Sequence, residues 1–271
     1  MSGGFPDAPA WCQWGRSYTS YQGNNGEWTN IPTGIYPTFG AWTQVVASAP
    51  FDICELSLVA ADGGNSRDGT VFQIGIGASG SEVVLVPAMV YSSSGVWQIR
   101  VPIDIPAGTR IAVRAAWTAT INVQVGLAYF GASAYPEMSA KKLDSIGVNA
   151  SLSQGTLLTS GASNVYGAYT QLIAATANDY AGFIPVADNV LNTATNDALD
   201  VKIAIGASGS EVDVFGMIAH SAYRVEGDGA GGYTGAGPVW IQIPAGTRIS
   251  AKLSSPTASA TVGVSLIGIG K

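Results

Sequence analysis

Apolar residues alternate with small or polar ones over several short stretches of the chain. Thr70-Val-Phe-Gln-Ile-Gly-Ile76 and Val201-Lys-Ile-Ala-Ile205 follow this period of two, as do Ile121-Asn-Val-Gln-Val-Gly-Leu127 and Ala260-Thr-Val-Gly-Val-Ser-Leu266. Successive side chains of a strand point to opposite faces, so each stretch predicts a strand with one buried face. Gly77-Ala-Ser-Gly80 and Gly206-Ala-Ser-Gly209 read as turns, and Ser81-Glu-Val-Val-Leu-Val86 leaves the first as the return strand of a hairpin. In Ile105-Pro-Ala-Gly-Thr-Arg-Ile111 the proline presets φ and the glycine accepts the positive φ that follows, so a turn delivers the chain into the next strand. Only Glu137 to Asp144 has a helical flavour, and a short helix is expected there. Short strands separated by Gly and Pro turns predict an all-β fold of the β-sandwich, jelly-roll-like kind.

The pattern occurs twice. Ile74-Gly-Ile-Gly-Ala-Ser-Gly-Ser-Glu-Val83 returns as Ile203-Ala-Ile-Gly-Ala-Ser-Gly-Ser-Glu-Val212, with one substitution. Ile105-Pro-Ala-Gly-Thr-Arg-Ile111 returns unchanged as Ile243 to Ile249, and Ala41-Trp-Thr-Gln-Val45 returns more loosely as Ala168-Tyr-Thr-Gln-Leu172. The matches keep their order, and the spacing widens across Glu226 to Gly232, which reads as a loop insertion. The expected organisation is an aromatic-rich N-terminal arm over residues 1–34, a sandwich domain over 35–131, a linker over 132–162 and a second, homologous sandwich domain over 163–271.

Composition narrows the function classes. Charged residues make up 11% of the 271 positions, against roughly 25% in ordinary domains, while hydrophobic residues reach 47% and the mean hydropathy is +0.25. No apolar run approaches the ~20 residues of a membrane helix, so the excess is assigned to core and to contacts between copies of the chain, and no membrane insertion is expected. The net charge of −6 and the lack of Lys and Arg clusters argue against nucleic acid as a partner. The start, Met1-Ser-Gly-Gly-Phe-Pro6, lacks the basic and apolar regions of a signal peptide, which implies synthesis in the cytoplasm without export by that route.

Candidate chemistry is sparse, and no catalytic residue, cofactor or metal is expected. His220 is the only histidine and faces Ala88-Met-Val-Tyr91 in the sequence of the first repeat, so it reads as structural. Gly75 to Gly80 has the wrong spacing for a dinucleotide loop. Glu82 and Glu211 occupy one equivalent position per repeat, as solvent-face or turn-supporting residues rather than a facing acid–base pair. The stretches Asp62 to Asp68 and Asp188 to Asp200 offer oxygen donors of the kind Ca²⁺ takes, yet neither matches an EF-hand, and ordinary loops have the same composition. Cys12 and Cys54 fit either two thiols packed as small hydrophobes or a disulfide tying the arm to the first domain.

Aromatic residues crowd the arm: Trp11, Trp14, Tyr18, Tyr21 and Trp28 have no repeat partner. They are the candidate docking residues, rings that anchor into a neighbouring subunit, with stacking on a sugar as the other reading. Of the remaining tryptophans, Trp97 and Trp117 align poorly with aromatics of the second repeat, although Trp240 lies near the Trp97 position. In the repeated Ile-Pro-Ala-Gly-Thr-Arg-Ile motif, with Trp42-Thr-Gln44 and the Gly77-Ala-Ser-Gly-Ser-Glu82 turn, the chain resembles structural proteins of tailed bacteriophages, of the fibre, spike or decoration type. The resemblance spans both repeats and brings no identifiable binding residues with it. It implies a virion location, sandwich modules on the particle exterior, and other virion proteins and copies of the chain as partners, a trimer by the habit of phage fibres. A role in host attachment through a surface glycan is also implied. The competing reading is a lectin-like carbohydrate-binding protein with two sandwich modules.

Overall fold

The alternating stretches form strands and the Gly and Pro motifs form the turns between them, in a computed structural model that describes residues 29–62, 70–91, 97–117, 119–131, 142–149, 154–191, 198–220 and 238–270. The first series is β1 (Thr29–Ile35), β2 (Thr43–Val46), β3 (Ile53–Asp62), β4 (Thr70–Ile76), β5 (Val83–Tyr91), β6 (Trp97–Ile105), β7 (Ile111–Trp117) and β8 (Asn122–Gly131). Two short strands follow, β9 (Lys142–Ile146) and β10 (Val148–Asn149). The second series is β11 (Gln154–Thr159), β12 (Thr170–Ile173), β13 (Tyr180–Leu191), β14 (Ala198–Ile205), β15 (Val212–His220), β16 (Val239–Ile243), β17 (Ile249–Ser254) and β18 (Thr261–Gly270). The fold is all-β, with no helix among the described residues.

The two series pair alike. In the first, one layer runs β6-β3-β8 and the other β5-β4-β7 with β2 on the β7 edge. In the second, β16-β13-β18 and β15-β14-β17-β12 repeat that order. The shift between Ile53 and Glu55 in β3 recurs between Tyr180 and Gly182 in β13. Strand β1 joins the two layers of the first half. Its Thr29 to Pro32 pair antiparallel with β8, and its Thr33 to Ile35 pair parallel with β7. Leu56, Leu58, Phe72, Ile74, Val113, Val125 and Leu127 fill the space between those layers. Phe183, Leu199, Val201, Ile203, Leu253 and Val264 fill the other.

The region read from sequence as a linker is built into the fold. Residues 142–144, where a short helix is expected, are strand: Lys142 to Ile146 pair antiparallel with Gly270 to Leu266. Leu143 and Ile146 are buried on opposite sides, Leu143 against the first core and Ile146 in the second. A helix would put residues three apart on one side, so this two-sided burial selects the strand. Likewise β11, inside the same stretch, pairs with β18, and β1 begins inside the stretch assigned to the arm.

The halves are joined through apolar contact. Ile184 and Val186 of β13, Ile267 and Ile269 of β18, and Leu143 of β9 belong to the core cluster of the first half. Each side chain so buried contributes about 1.5–3 kcal/mol relative to exposure. Strand β18 therefore serves both cores, Val262, Val264 and Leu266 on one side and Ile267 and Ile269 on the other, and this explains why it is apolar nearly throughout.

Candidate functional surface

The residues that the repeats share verbatim form a lock. Arg110 reaches from the Pro-Ala-Gly-Thr-Arg turn to Glu82 Oε1 at 2.8 Å, to the Gly77 carbonyl at 3.1 Å, and through Nε to Gln44 Oε1 at 3.0 Å. Arg248 repeats this with Glu211 at 3.0 Å, Gly206 at 3.2 Å and Gln171 at 3.1 Å. The second carboxylate oxygen accepts the N–H of Gly80 or Gly209, at 3.0 and 2.8 Å, glycines that both sit at φ 82°, where a side chain would be strained. The glutamate side chains are 2% and 6% exposed. Burial pushes these carboxyls up, but backbone N–H groups and the arginine outweigh it and hold both below the usual carboxylate range. Glu82 and Glu211 are thus turn supports turned inward, not solvent-face residues. Asp52 and Asp179 add a cap on the Pro-Ala-Gly turn, each accepting the N–H of Ala107 or Ala245 at 2.8 Å.

A further lock escaped the sequence reading because its residues differ between repeats. The Thr33 hydroxyl donates to the Ala119 carbonyl and accepts the Ile121 N–H, both at 2.9 Å. Ser160 does the same with the Thr257 carbonyl at 3.1 Å and the Ala260 N–H at 2.9 Å. Each hydroxyl sits directly after the segment that pairs with the last strand of its series and ties it to the turn before that strand. A threonine and a serine in unlike contexts carry no repeat signal.

The outward face of the sheet containing β7 or β17 carries aromatic rings on a cation in both halves. In the first, the Arg114 guanidinium lies 4.4 Å from the Trp42 ring centre and 5.2 Å from that of Phe39, and its Nε donates to Gln73 Oε1 at 2.7 Å. In the second, Lys252 replaces Arg114, Tyr169 replaces Trp42 and Tyr166 replaces Phe39. The Lys252 ammonium is 4.3 Å from the Tyr169 ring centre and 5.0 Å from that of Tyr166, which Lys202 also approaches at 4.9 Å. Here the cluster is ionic. Lys252 donates to the Tyr169 hydroxyl at 2.6 Å and pairs with Asp213 at 3.0 Å, the Tyr169 hydroxyl donates to Asp213 at 2.6 Å, and the Tyr166 hydroxyl donates to Asp200.

The titration of this cluster follows from the contacts. Burial raises Asp213, but Tyr169, Lys252 and Lys202 outweigh it and bring it below the usual carboxylate range. Burial lowers Lys252, and Tyr169 with Asp213 reverse that to a net rise. Burial and the neighbouring carboxylates raise Tyr166 and Tyr169 above the ordinary phenol value, Lys252 opposing part of the rise at Tyr169. The surface therefore offers aromatic faces, fixed charges and hydroxyls. An ionised, doubly paired aspartate is no proton donor at neutral pH.

The five ringed residues of the arm, Trp11, Trp14, Tyr18, Tyr21 and Trp28, lie outside the described residues, as does Cys12. Cys54 sits half-buried in β3. His220 ends β15 opposite Ala198. Of the two proposed cation stretches, residues 63–69 and 192–197 lie outside the description, and Asp188 and Asp200 are within strands paired to Gly263 and Ser254. Among the described residues no group of three or more His, Cys, Asp or Glu could hold a metal ion, and no helix is long and apolar enough to cross a membrane. Trp240 stands opposite Gly182, the place that Pro102 takes opposite Glu55 in the first half, so it is not the counterpart of Trp97.

No family model matches the chain, and a search of curated proteins gives no match. Among solved structures it is similar to PNGF-II in a C2 space group, with 10% identity, a TM-score of 0.38 and 90% of this chain covered. The chain spans 65% of the length of that protein. It is also similar to the N-terminal CBM22-1–CBM22-2 tandem domain of Xyn10C from Paenibacillus barcinonensis, at 9% identity and a TM-score of 0.26, covering 93% of this chain and 89% of that one. A third is the Sulfolobus turreted icosahedral virus structure, at 10% identity and a TM-score of 0.23, covering 89% and 58%.

Proposed function

We propose that the protein is a non-enzymatic structural subunit on the exterior of a bacteriophage particle, of the fibre, spike or decoration kind, assembled with copies of itself. The observation that carries this reading is what the duplication preserves. The charged residues that are identical in the two repeats at the turns, Asp52, Glu82 and Arg110 with Asp179, Glu211 and Arg248, all serve those turns. A duplicated catalytic module would preserve reacting groups instead, and here the two repeated glutamates are each paired with an arginine. The sequence resemblance to tailed-phage structural proteins and the scarcity of charge support the same reading. The aromatic arm supplies a means of docking onto other particle proteins, with host attachment through a surface glycan as a further role.

The test is the mass of the intact protein by light scattering coupled to size exclusion. The reading expects a stable multiple of 27.7 kDa, and a 27.7 kDa species at every concentration sinks it. A second reading, a lectin-like protein, draws on Tyr166 and Tyr169 beside Lys202 on the outward face of the second half. A glycan array on which the intact protein binds and its Tyr169→Ala variant does not would favour that one.

A further inference from the structure

The duplication gives an internal control for surface burial. Where β5 and β15 leave their hairpin turns, Val83 is 63% exposed and Val212 62%. Farther along, on the flank formed by β5 with β6 and by β15 with β16, the halves part company. Val86, Met89, Val101 and Ile103 of the first half are no more than 1% exposed. Their counterparts by strand pairing, Phe215, Met217, Val239 and Ile241, are only partly buried against the second core. The first flank is sealed by the second half of the chain. Strand β9 lies along β5, the Ser145 hydroxyl donates to the Ala88 carbonyl, and Leu143, Ile184, Val186 and Ile267 extend the first core. No described residue does this for the second flank.

Free sheet edges invite pairing, and monomeric proteins protect them with lysine, proline or bulges. Strands β5 and β15 each carry an extra residue near the hairpin turn, opposite Ile74/Gly75 and Ile203/Ala204; β5, already covered, adds Pro87 and a second extra residue between its partners of Phe72 and Ile74. Val214 to His220 and Val239 to Ile243 contain no Lys, Arg, Asp, Glu or Pro. From these observations we propose that the β15/β16 flank is a contact surface between subunits, filled in the assembled protein by a second copy of this chain. Apolar composition suits a permanent like-with-like interface, where charge is depleted at the centre. The inference deepens the reading of the chain as a self-assembling subunit and rests on it for the presence of further copies.

The experiment compares solution masses across a concentration series for the intact protein, for Met217→Lys and Ile241→Lys, and for Val212→Lys as a control outside the sealed zone. The expected result is a multiple of 27.7 kDa for the intact protein and the control, and a fall to 27.7 kDa for both flank variants while cooperative melting is retained. Met217→Gln, polar and close in volume, takes the place of a lysine variant that does not fold. Flank variants that melt cooperatively yet keep the intact protein's mass overturn the surface and leave the self-assembly reading standing. A monomeric intact protein overturns both. Removing residues 1–28 is expected to leave the mass multiple unchanged, and a monomer on that deletion would move the contact to the arm and overturn the proposal.

Discussion

The outward sheet faces of the two halves have the same plan and different chemistry. Both hold a cation of the seventh strand of the series against two rings from the loop before the second strand. The first half does so with Arg114, Trp42 and Phe39, and the second with Lys252, Tyr169 and Tyr166. The floor beneath changes with the rings. A Cβ at Gly75 would lie 2.8 Å from the Trp42 indole, so glycine is required there, whereas Ala204 at the same place is accommodated beneath the smaller tyrosine and buried. Neighbouring Val84 becomes Asp213, and Gln73 becomes Lys202. The Arg–Glu turn locks, by contrast, are copied residue for residue. Since the locks fix register and the rings do not, divergence has been free on the face and constrained at the turns.

The largest expected effect concerns the contact that joins the halves. Leu143→Ala removes a side chain 2% exposed in the apolar layer between them, and should cost about 2–5 kcal/mol. Calorimetry should show one transition dividing into two, and a single unshifted transition would mean that the halves are not coupled there. Next comes the floor. Gly75→Ala forces a methyl into the indole and should destabilise by about 1–3 kcal/mol, while Ala204→Gly should cost the second half only about 0.5–1 kcal/mol. Denaturant unfolding that finds equal costs would show that the ring packing does not control the floor.

Smaller again is the clamp itself. Arg114→Met keeps much of the side chain's apolar bulk and removes its cation–π contact, about 0.5–2 kcal/mol, read from the same unfolding curves. The smallest effect is a difference in alkaline response. Lys252, Tyr166 and Tyr169 all have folded values above their ordinary ones. Their contribution is therefore present below about pH 10 and is lost as pH rises through the folded values. Trp42 and Phe39, which stand in the places of Tyr169 and Tyr166, carry no ionisable group. The melting temperature of the intact protein should fall from about pH 10 upward, and the double variant Tyr166→Phe with Tyr169→Phe should flatten the fall. An unchanged slope in that variant would remove the phenols from the explanation.

The sequence made some of this legible and concealed the rest for physical reasons. Strands with alternating patterns and turns with Gly and Pro depend on neighbours in the chain, so β4, β8, β14 and β18 and the turns at Gly77 and Gly206 could be read directly. Strand β9 could not, because five residues with Lys142, Asp144 and Ser145 look polar until two cores lie on either side. Asp144 in fact accepts from Asn178 and Tyr180 of the second half, while Leu143 faces the first. The clamps also stayed hidden. Phe39 and Trp42 meet Arg114 only through the sheet, and no local spacing announces the encounter. The lock residues Glu82 and Arg110 stood out as repeated, but their partnership required the fold.

Strand β18 receives β13, β11 and β9, yet it follows all of them in the chain. During synthesis the first half has its full strand complement once Gly131 has been made. Strands β9 and β13, whose side chains cover its β5 flank, are made earlier, but the strand on which both of them pair arrives only with residues 261–270. Between those moments β9 and β13 lack the strand they share, and the cover that Leu143, Ile184, Val186 and Ile267 give the first core is incomplete. The order of manufacture thus creates a temporary sticky stage, and the speed of translation from residue 132 to residue 270 sets how long neighbouring nascent chains can find one another through it.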